Sequence, residues 1–156
     1  MERKYSNPKD RVSTAKLDLS LFPDTAAAYG ALAMTEGDLK YGGYNYRVAG
    51  VSFNVYVAAV RRHIAAVYNG EWHDPQTGVP HLANAIACLA VLIDAAECGK
   101  LVDDRPPGSP VGDLQRNLQC NVKQLQEMFM EPPKRFTWED SPNENFDVLS
   151  GGSDQG

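Results

Sequence analysis

An all-α fold, a helical bundle, is predicted by three features of the sequence. Four segments carry apolar residues at helical spacing between recognisable start and stop signals. The third is apolar on nearly every side over residues 82–93, and the fourth has a narrow apolar seam. A chain of 156 residues fits one such domain. The expected organisation is an N-terminal leader (1–22), a helical core (23–107), an amphipathic helix (108–130) and an acidic, disordered tail (131–156).

The first two helices are predicted from their ends. The first begins at Asp24, an N-cap candidate after Pro23, and ends before Gly42. The second begins at Asn54, which also suits an N-cap, and ends at Tyr68. Its first residues suit a strand as well. Both helices should contribute to the core.

The third and fourth helices are predicted to be interaction helices. The third, residues 80–98, has Pro80 in its first turn, where the missing N–H costs nothing. A helix that is apolar all round is the buried centre of a bundle or an oligomer interface. We expect a homodimer or homotetramer in which another copy covers this helix. The fourth helix, residues 113–130, should cover it too, because its apolar residues recur every three or four positions.

Composition excludes several classes of protein. The net charge of −5 argues against direct DNA binding, which needs a basic surface. No apolar run approaches the roughly 20 residues that cross a membrane, and the charged N-terminus does not resemble a secretory signal. The three cysteines form no CxxC pair, so disulfides and thiolate zinc sites are not expected. A cytoplasmic location with no membrane partner is the resulting expectation.

Charge is unevenly distributed in the predicted core. Residues 39–70 hold four bases and no acid, whereas residues 71–104 hold six acids and one base. Carboxylates could hold a hard cation such as Mg²⁺ while the bases neutralise phosphate oxygens. The alternative is that these charges are solvated helix ends and loops.

Residues 40–47 (Lys-Tyr-Gly-Gly-Tyr-Asn-Tyr-Arg) are a second candidate feature. A nucleobase could stack on a tyrosine while Asn45 reads its edge and Lys40 or Arg47 reaches phosphates. A tyrosine-rich loop packed on the bundle is an equally good interpretation. His63 and His81 also have two interpretations. Each could belong to a site or be a packed residue, and a helical histidine is more often packed than catalytic.

Short motifs over about residues 7–107 occur in a familiar order. They cover residues 7–12, 36–42, 45–51, 62–63, 70–71, 74, 78–82 and 103–106. On these motifs the chain resembles the phage dATP/dGTP diphosphohydrolase family of MazG-like proteins, which includes the MazZ enzymes. The resemblance implies an all-α, MazG-like bundle that dimerises or tetramerises. It also implies a hydrolase of phage nucleotide metabolism, in the cytoplasm of the infected bacterial host, that uses Mg²⁺ or Mn²⁺. Its substrates would be purine nucleoside triphosphates, dGTP or dATP, cleaved to the monophosphate and pyrophosphate.

The resemblance also suggests roles for individual residues. The implied catalytic residues are Glu36, Glu71 and His63, and the implied metal ligands are Glu36, Glu71 and Asp74. The implied substrate-binding residues are Lys40, Tyr41, Asn45, Arg47, Arg62, His81 and Asn84. Asp103 and Asp104 are weaker metal candidates because they follow the bundle.

The chain departs from the family pattern at two places. Such enzymes present paired ExxE and ExxD motifs on facing helices, but Glu36 has no partner at that spacing and no carboxylate precedes His81 on its helix. Ala58 stands four residues before Arg62, where the family commonly has an acid. Either the metal set is assembled differently, with Asp38 and Glu71, or the chain is a catalytically weak nucleotide-binding or interaction module of a phage.

Overall fold

The computed structural model describes residues 16–140, and in this range the chain is predominantly α-helical. The helices are α1 (Asp24–Tyr41), the short α2 (Tyr46–Ala49), α3 (Phe53–Tyr68), α4 (His81–Glu97) and α5 (Val111–Met128). Single 3-10 turns form at Leu19–Leu21 and Trp138–Asp140. The all-α prediction is confirmed. The predicted leader and tail extend into residues 1–15 and 141–156, which lie outside the described residues.

The four predicted helices are present, each within two residues of its predicted ends. Two caps differ from the prediction. Helix α3 begins after Ser52, whose hydroxyl accepts a hydrogen bond from the Val55 N–H at 3.4 Å, so Asn54 is not the cap. Helix α1 has Pro23 at the N-cap position, and Asp24 is its first helical residue. The strand alternative at the start of the second segment is wrong, because those residues are helical.

The chain divides into two compact units between Asp103 and Asp104. In the first unit α4 is central and packs against α1 on one side and α3 on another. Gly30 of α1 makes a close approach possible, since a Cβ at this position would lie 3.0 Å from Cγ2 of Ile86. Ala83 and Ala95 of α4 are almost fully buried. Small residues at these contacts let the three helices pack closely.

Two strands were not predicted from the sequence. Strand β1 (Val51–Ser52) pairs in parallel with β2 (Leu101–Val102), and Val51 lies opposite Leu101. Both strands are only two residues long, too short for an alternating pattern to be visible. The pairing fixes the entry to α3 against the exit from α4.

Apolar side chains stay exposed on both units. On α4, Leu82, Leu89 and Ile93 are 42%, 48% and 67% exposed. On α5, in the second unit, the whole predicted seam is at least half exposed, from Leu114 to Phe129. No helix within residues 16–140 has the length and apolar character needed to cross a membrane.

Candidate active site

A cavity of about 290 Å³ lies in the first unit among the C-terminal half of α1, the loop that follows it, α3 and α4. It collects polar side chains that are far apart in the sequence. Those that line it are Glu36, Asp38, Lys40, Asn45, His63, Asp74 and Asn84. The aromatic lining is Tyr41, Tyr44, Tyr46 and Tyr56. Acids, one lysine and several tyrosines therefore face one space.

Helix α1 supplies the charged edge of the cavity. Glu36 and Lys40 are one turn apart, and the Lys40 ammonium donates a hydrogen bond to the Glu36 carboxylate. This bond is the main reason that the pKa of Lys40 is raised, so the side chain carries its full charge. Asp74, on the loop before α4, lies close enough to Lys40 to contribute to the same shift.

The Asp74 carboxylate is held in its ionised form. Its Oδ1 accepts the backbone N–H of Gln76 at 2.9 Å and of Thr77 at 3.1 Å. The hydrogen bond from Gln76 is the largest cause that lowers the pKa of Asp74. The side chain therefore brings a fixed negative charge to the cavity wall.

Asp38 is the third acid at the cavity, and it folds over the glycine turn that ends α1. A Cβ on Gly43 would lie 2.7 Å from the Asp38 Oδ1, so only glycine leaves room for the carboxylate there. Gly42 has a φ of 85°, which stops the helix. The two glycines thus let the chain turn beneath an acid that faces the cavity.

Tyrosines form the other wall. Tyr44 has an unusual positive φ of 58°, and the Arg47 guanidinium lies 4.8 Å from the centre of its ring. Tyr46 is buried, and burial is the main reason that its pKa is raised. Tyr41, at the end of α1, is exposed. The segment predicted to stack on a base lines the cavity.

Arg47 does not line the cavity. Its guanidinium donates two hydrogen bonds to Asp94 of α4, from Nε at 2.7 Å and from Nη2 at 2.8 Å. This ion pair is the main cause of the lowered pKa of Asp94. Arg47 therefore ties the tyrosine segment to α4. Its contact with phosphates stays a prediction.

Arg62 is exposed on α3 and is also absent from the cavity lining. Asp103 and Asp104 lie after β2, at the boundary between the two units. Cys88 of α4 lines the cavity. Burial raises the pKa of its thiol, which keeps the thiol protonated and unreactive.

Three side chains form a line of hydrogen bonds behind the cavity. Nδ1 of His63 lies 3.0 Å from Nδ1 of His81, and Nε2 of His81 lies 2.8 Å from Oε1 of Glu71. Only His63 of these three lines the cavity. Burial is the main cause that lowers the pKa of His63, with smaller contributions from His81 and Arg62. His63 is therefore neutral at pH 7.

The donor chemistry of the cavity fits a hard divalent cation that is held together with phosphate. Glu36, Asp38 and Asp74 offer carboxylate oxygens, the ligands that Mg²⁺ prefers. Within residues 16–140, no three His, Cys, Asp or Glu side chains come together as a metal cluster. Mg²⁺ commonly binds through one or two carboxylates plus substrate phosphates rather than in a protein cage. The carboxylates that line the cavity are donors of the kind that such a site uses.

A family model described as the N-terminal domain of dATP/dGTP diphosphohydrolase matches residues 6–105. The chain belongs to the dATP/dGTP diphosphohydrolase family. The match covers the whole cavity and ends two residues beyond Asp103, the last residue of the first unit. No curated protein and no solved structure matches the chain.

Tyr56 and Asp94 are the site residues that the sequence analysis missed. Tyr56 lines the cavity from α3, and Asp94 holds Arg47 from α4. Each lies on a helix whose apolar spacing predicts packing and gives no sign of a cavity. The adjacent blocks of bases and acids in the sequence were the signal that could have suggested the Arg47–Asp94 pair.

Proposed function

We propose that the chain is a metal-dependent diphosphohydrolase of purine nucleoside triphosphates. It converts dGTP or dATP to the monophosphate and pyrophosphate in the nucleotide metabolism of a phage, in the cytoplasm of its bacterial host. The observation that carries the proposal is a single cavity that joins three carboxylates, a lysine and a wall of tyrosines inside the span of the family match.

The division of the cavity wall supports this assignment. The charged edge, with Glu36, Asp74 and Lys40, suits a triphosphate and its cation, because the acids bind metal and the ammonium neutralises phosphate oxygen. The tyrosines with Asn45 and Asn84 suit a purine and its sugar, since an aromatic ring stacks on a base and an amide both donates and accepts.

The metal would be Mg²⁺ or Mn²⁺, held by Glu36 and Asp74 with Asp38 beside them. When bound, it supplies positive charge to the phosphates and lowers the pKa of a bound water. Glu71 has no part in this proposed metal set, because its carboxylate is hydrogen-bonded to His81 and does not line the cavity. Lys40 orients the phosphates, and His63 accepts the proton of the reacting water.

The direct test is hydrolysis of each nucleoside triphosphate by the purified protein. The protein is incubated with Mg²⁺, with Mn²⁺ or with EDTA, and the products are separated by ion-exchange chromatography. We expect a monophosphate and pyrophosphate from dGTP or dATP, and no turnover in EDTA. Metal-dependent binding of intact triphosphate with no product would instead favour a nucleotide-binding module, the function that Ala58 and the unpaired Glu36 suggest.

Lys40→Ala should raise KM about tenfold and leave kcat nearly unchanged, because the ammonium attracts phosphate oxygens equally in the bound substrate and in the transition state. Steady-state kinetics with the preferred triphosphate measure both constants. Lys100→Ala, which removes an exposed ammonium beyond the end of α4, is the matched control. A lower kcat with an unchanged KM would place Lys40 in the transition state instead.

We also propose that the protein is a homodimer or homotetramer that uses the apolar face of α4. Leu82, Leu89 and Ile93 support this, because their spacing of seven and four residues places them on one face of the helix, where they remain exposed. Light scattering coupled to gel filtration measures the mass of the assembly. A mass equal to one chain of 17.1 kDa would refute the proposal.

A further inference from the structure

The line of hydrogen bonds from Glu71 through His81 to His63 implies a role for the two residues behind the cavity. The geometry points to Glu71 and His81 as positioning residues that hold His63 with its ring hydrogen on Nδ1, so that Nε2 accepts a proton from water in the cavity. This inference rests on the proposed hydrolase function and gives its reacting water a proton acceptor.

The position of each hydrogen follows from the chemistry of the partners. An ionised carboxylate only accepts hydrogen bonds, so the 2.8 Å contact with Glu71 places a hydrogen on Nε2 of His81. When His81 is neutral, this is its single ring hydrogen, and its Nδ1 is an acceptor. The hydrogen in the 3.0 Å contact between the two rings then belongs to Nδ1 of His63.

His63 is thereby left with a lone pair on Nε2. Nδ1 is occupied by His81 behind the ring, and the ring itself lines the cavity. The two rings are tilted by 37° with their centres 5.2 Å apart, so they meet through their nitrogen atoms rather than by face-to-face stacking. The carboxylate and the second ring therefore fix both the tautomer and the orientation of the first.

The proposed step balances without any further reactant. Water loses a proton to Nε2 of His63, and its oxygen forms a bond to phosphorus. The bond from phosphorus to the bridging oxygen breaks, and pyrophosphate leaves with that electron pair. The imidazolium then returns the proton to solvent. The Glu71 carboxylate, through His81, stabilises the positive charge while it exists.

The groups around His63 are compatible with this role. On α4 it meets His81, and Asn84 and Cys88 share the cavity wall; Arg62 is its neighbour on α3. The negative charges of Asp74 and Glu36 act on it from the loop before α4 and from α1. These two carboxylates favour the imidazolium that the step creates.

Glu71→Ala tests the inference without disturbing the core, because the Glu71 side chain is 56% exposed. Nitrogen-15 NMR of the two imidazoles in the full chain reports which ring nitrogen carries hydrogen. We expect His63 to have its hydrogen on Nδ1 in the native protein and a mixture of tautomers in Glu71→Ala. Glu97→Ala, which removes an exposed acid at the end of α4, should leave the spectrum unchanged.

Kinetics provide the second readout. Glu71→Ala should lower kcat about tenfold or more with little change in KM, whereas Glu71→Gln, which keeps an acceptor oxygen, should recover part of the loss. A hydrogen on Nε2 of His63 in the native protein, or a His63 tautomer that Glu71→Ala leaves unchanged, would overturn the inference. NMR needs no substrate, so it determines the His63 tautomer even if no triphosphate is hydrolysed. A lack of hydrolysis would count against the proposed function and not against the tautomer.

Discussion

Glu36→Gln is expected to reduce kcat by on the order of a thousandfold, the largest loss of any single substitution at the cavity. Glu36 lies in the C-terminal half of α1 and lines the cavity beside Lys40. Glutamine keeps the shape of the side chain but removes the charge that would bind a cation. Lys40 would also lose its partner and add an uncompensated positive charge. The measurement is kcat for the preferred purine triphosphate with saturating Mg²⁺.

The fold should survive this substitution. The Glu36–Lys40 pair joins adjacent turns of one helix, and such pairs add little to stability because water screens them. The thermal midpoint of Glu36→Gln should therefore stay close to that of the native protein. Glu97→Gln removes an equivalent charge from the exposed end of α4 and should have no effect on kcat. Full activity in Glu36→Gln would remove Glu36 from the proposed metal set.

The helices could be predicted because their signals are local. Pro23, Gly42 and Pro80 mark ends within a few residues of the helices they bound, and those ends lie where the sequence predicts. The cap of α3 was misplaced because Ser52 and Asn54 are both good N-cap residues two positions apart. Ser52 also lies opposite Val102 in the β1–β2 pair, a contact between residues 50 apart that no local pattern shows.

The cavity was partly predictable for the same reason. Glu36 and Lys40 lie one turn apart, so their shared face can be read from their spacing. Arg47 shows the limit, because its partner Asp94 lies on a different helix and no local pattern pairs the two. Without that partner an arginine beside three tyrosines suggests phosphate binding. In the structure, the pair with Asp94 fixes the segment that lines the cavity.

The two histidines and Glu71 show the same limit more clearly. The family resemblance suggested a separate role for each, as catalytic residue, substrate contact or metal ligand, because no local pattern reveals that they touch. Their contacts join α3, the loop after it and the start of α4. A carboxylate that is hydrogen-bonded to a histidine has fewer lone pairs to offer a metal. We therefore propose that Glu71 positions His81 and is not a metal ligand.

A loss of activity in mild acid is the second large effect we expect. Burial is the main cause that lowers the pKa of His63 below its ordinary value of 6.5, with His81 and Arg62 acting in the same direction. A base must be neutral to accept a proton. kcat/KM should therefore be constant near pH 7 and fall about tenfold per pH unit once the pH drops below the pKa of His63.

His63→Gln should lower kcat/KM at pH 7 by about a hundredfold, since a positioned base contributes at least that much. It should also remove this fall in kcat/KM below pH 7. Asp74 cannot produce the acid limb, because the backbone N–H of Gln76 holds its pKa below its ordinary value of 3.8. His73→Gln is the matched control, as His73 lies on the loop before α4 and does not line the cavity. An acid limb that persists in His63→Gln would assign the proton acceptor to another group.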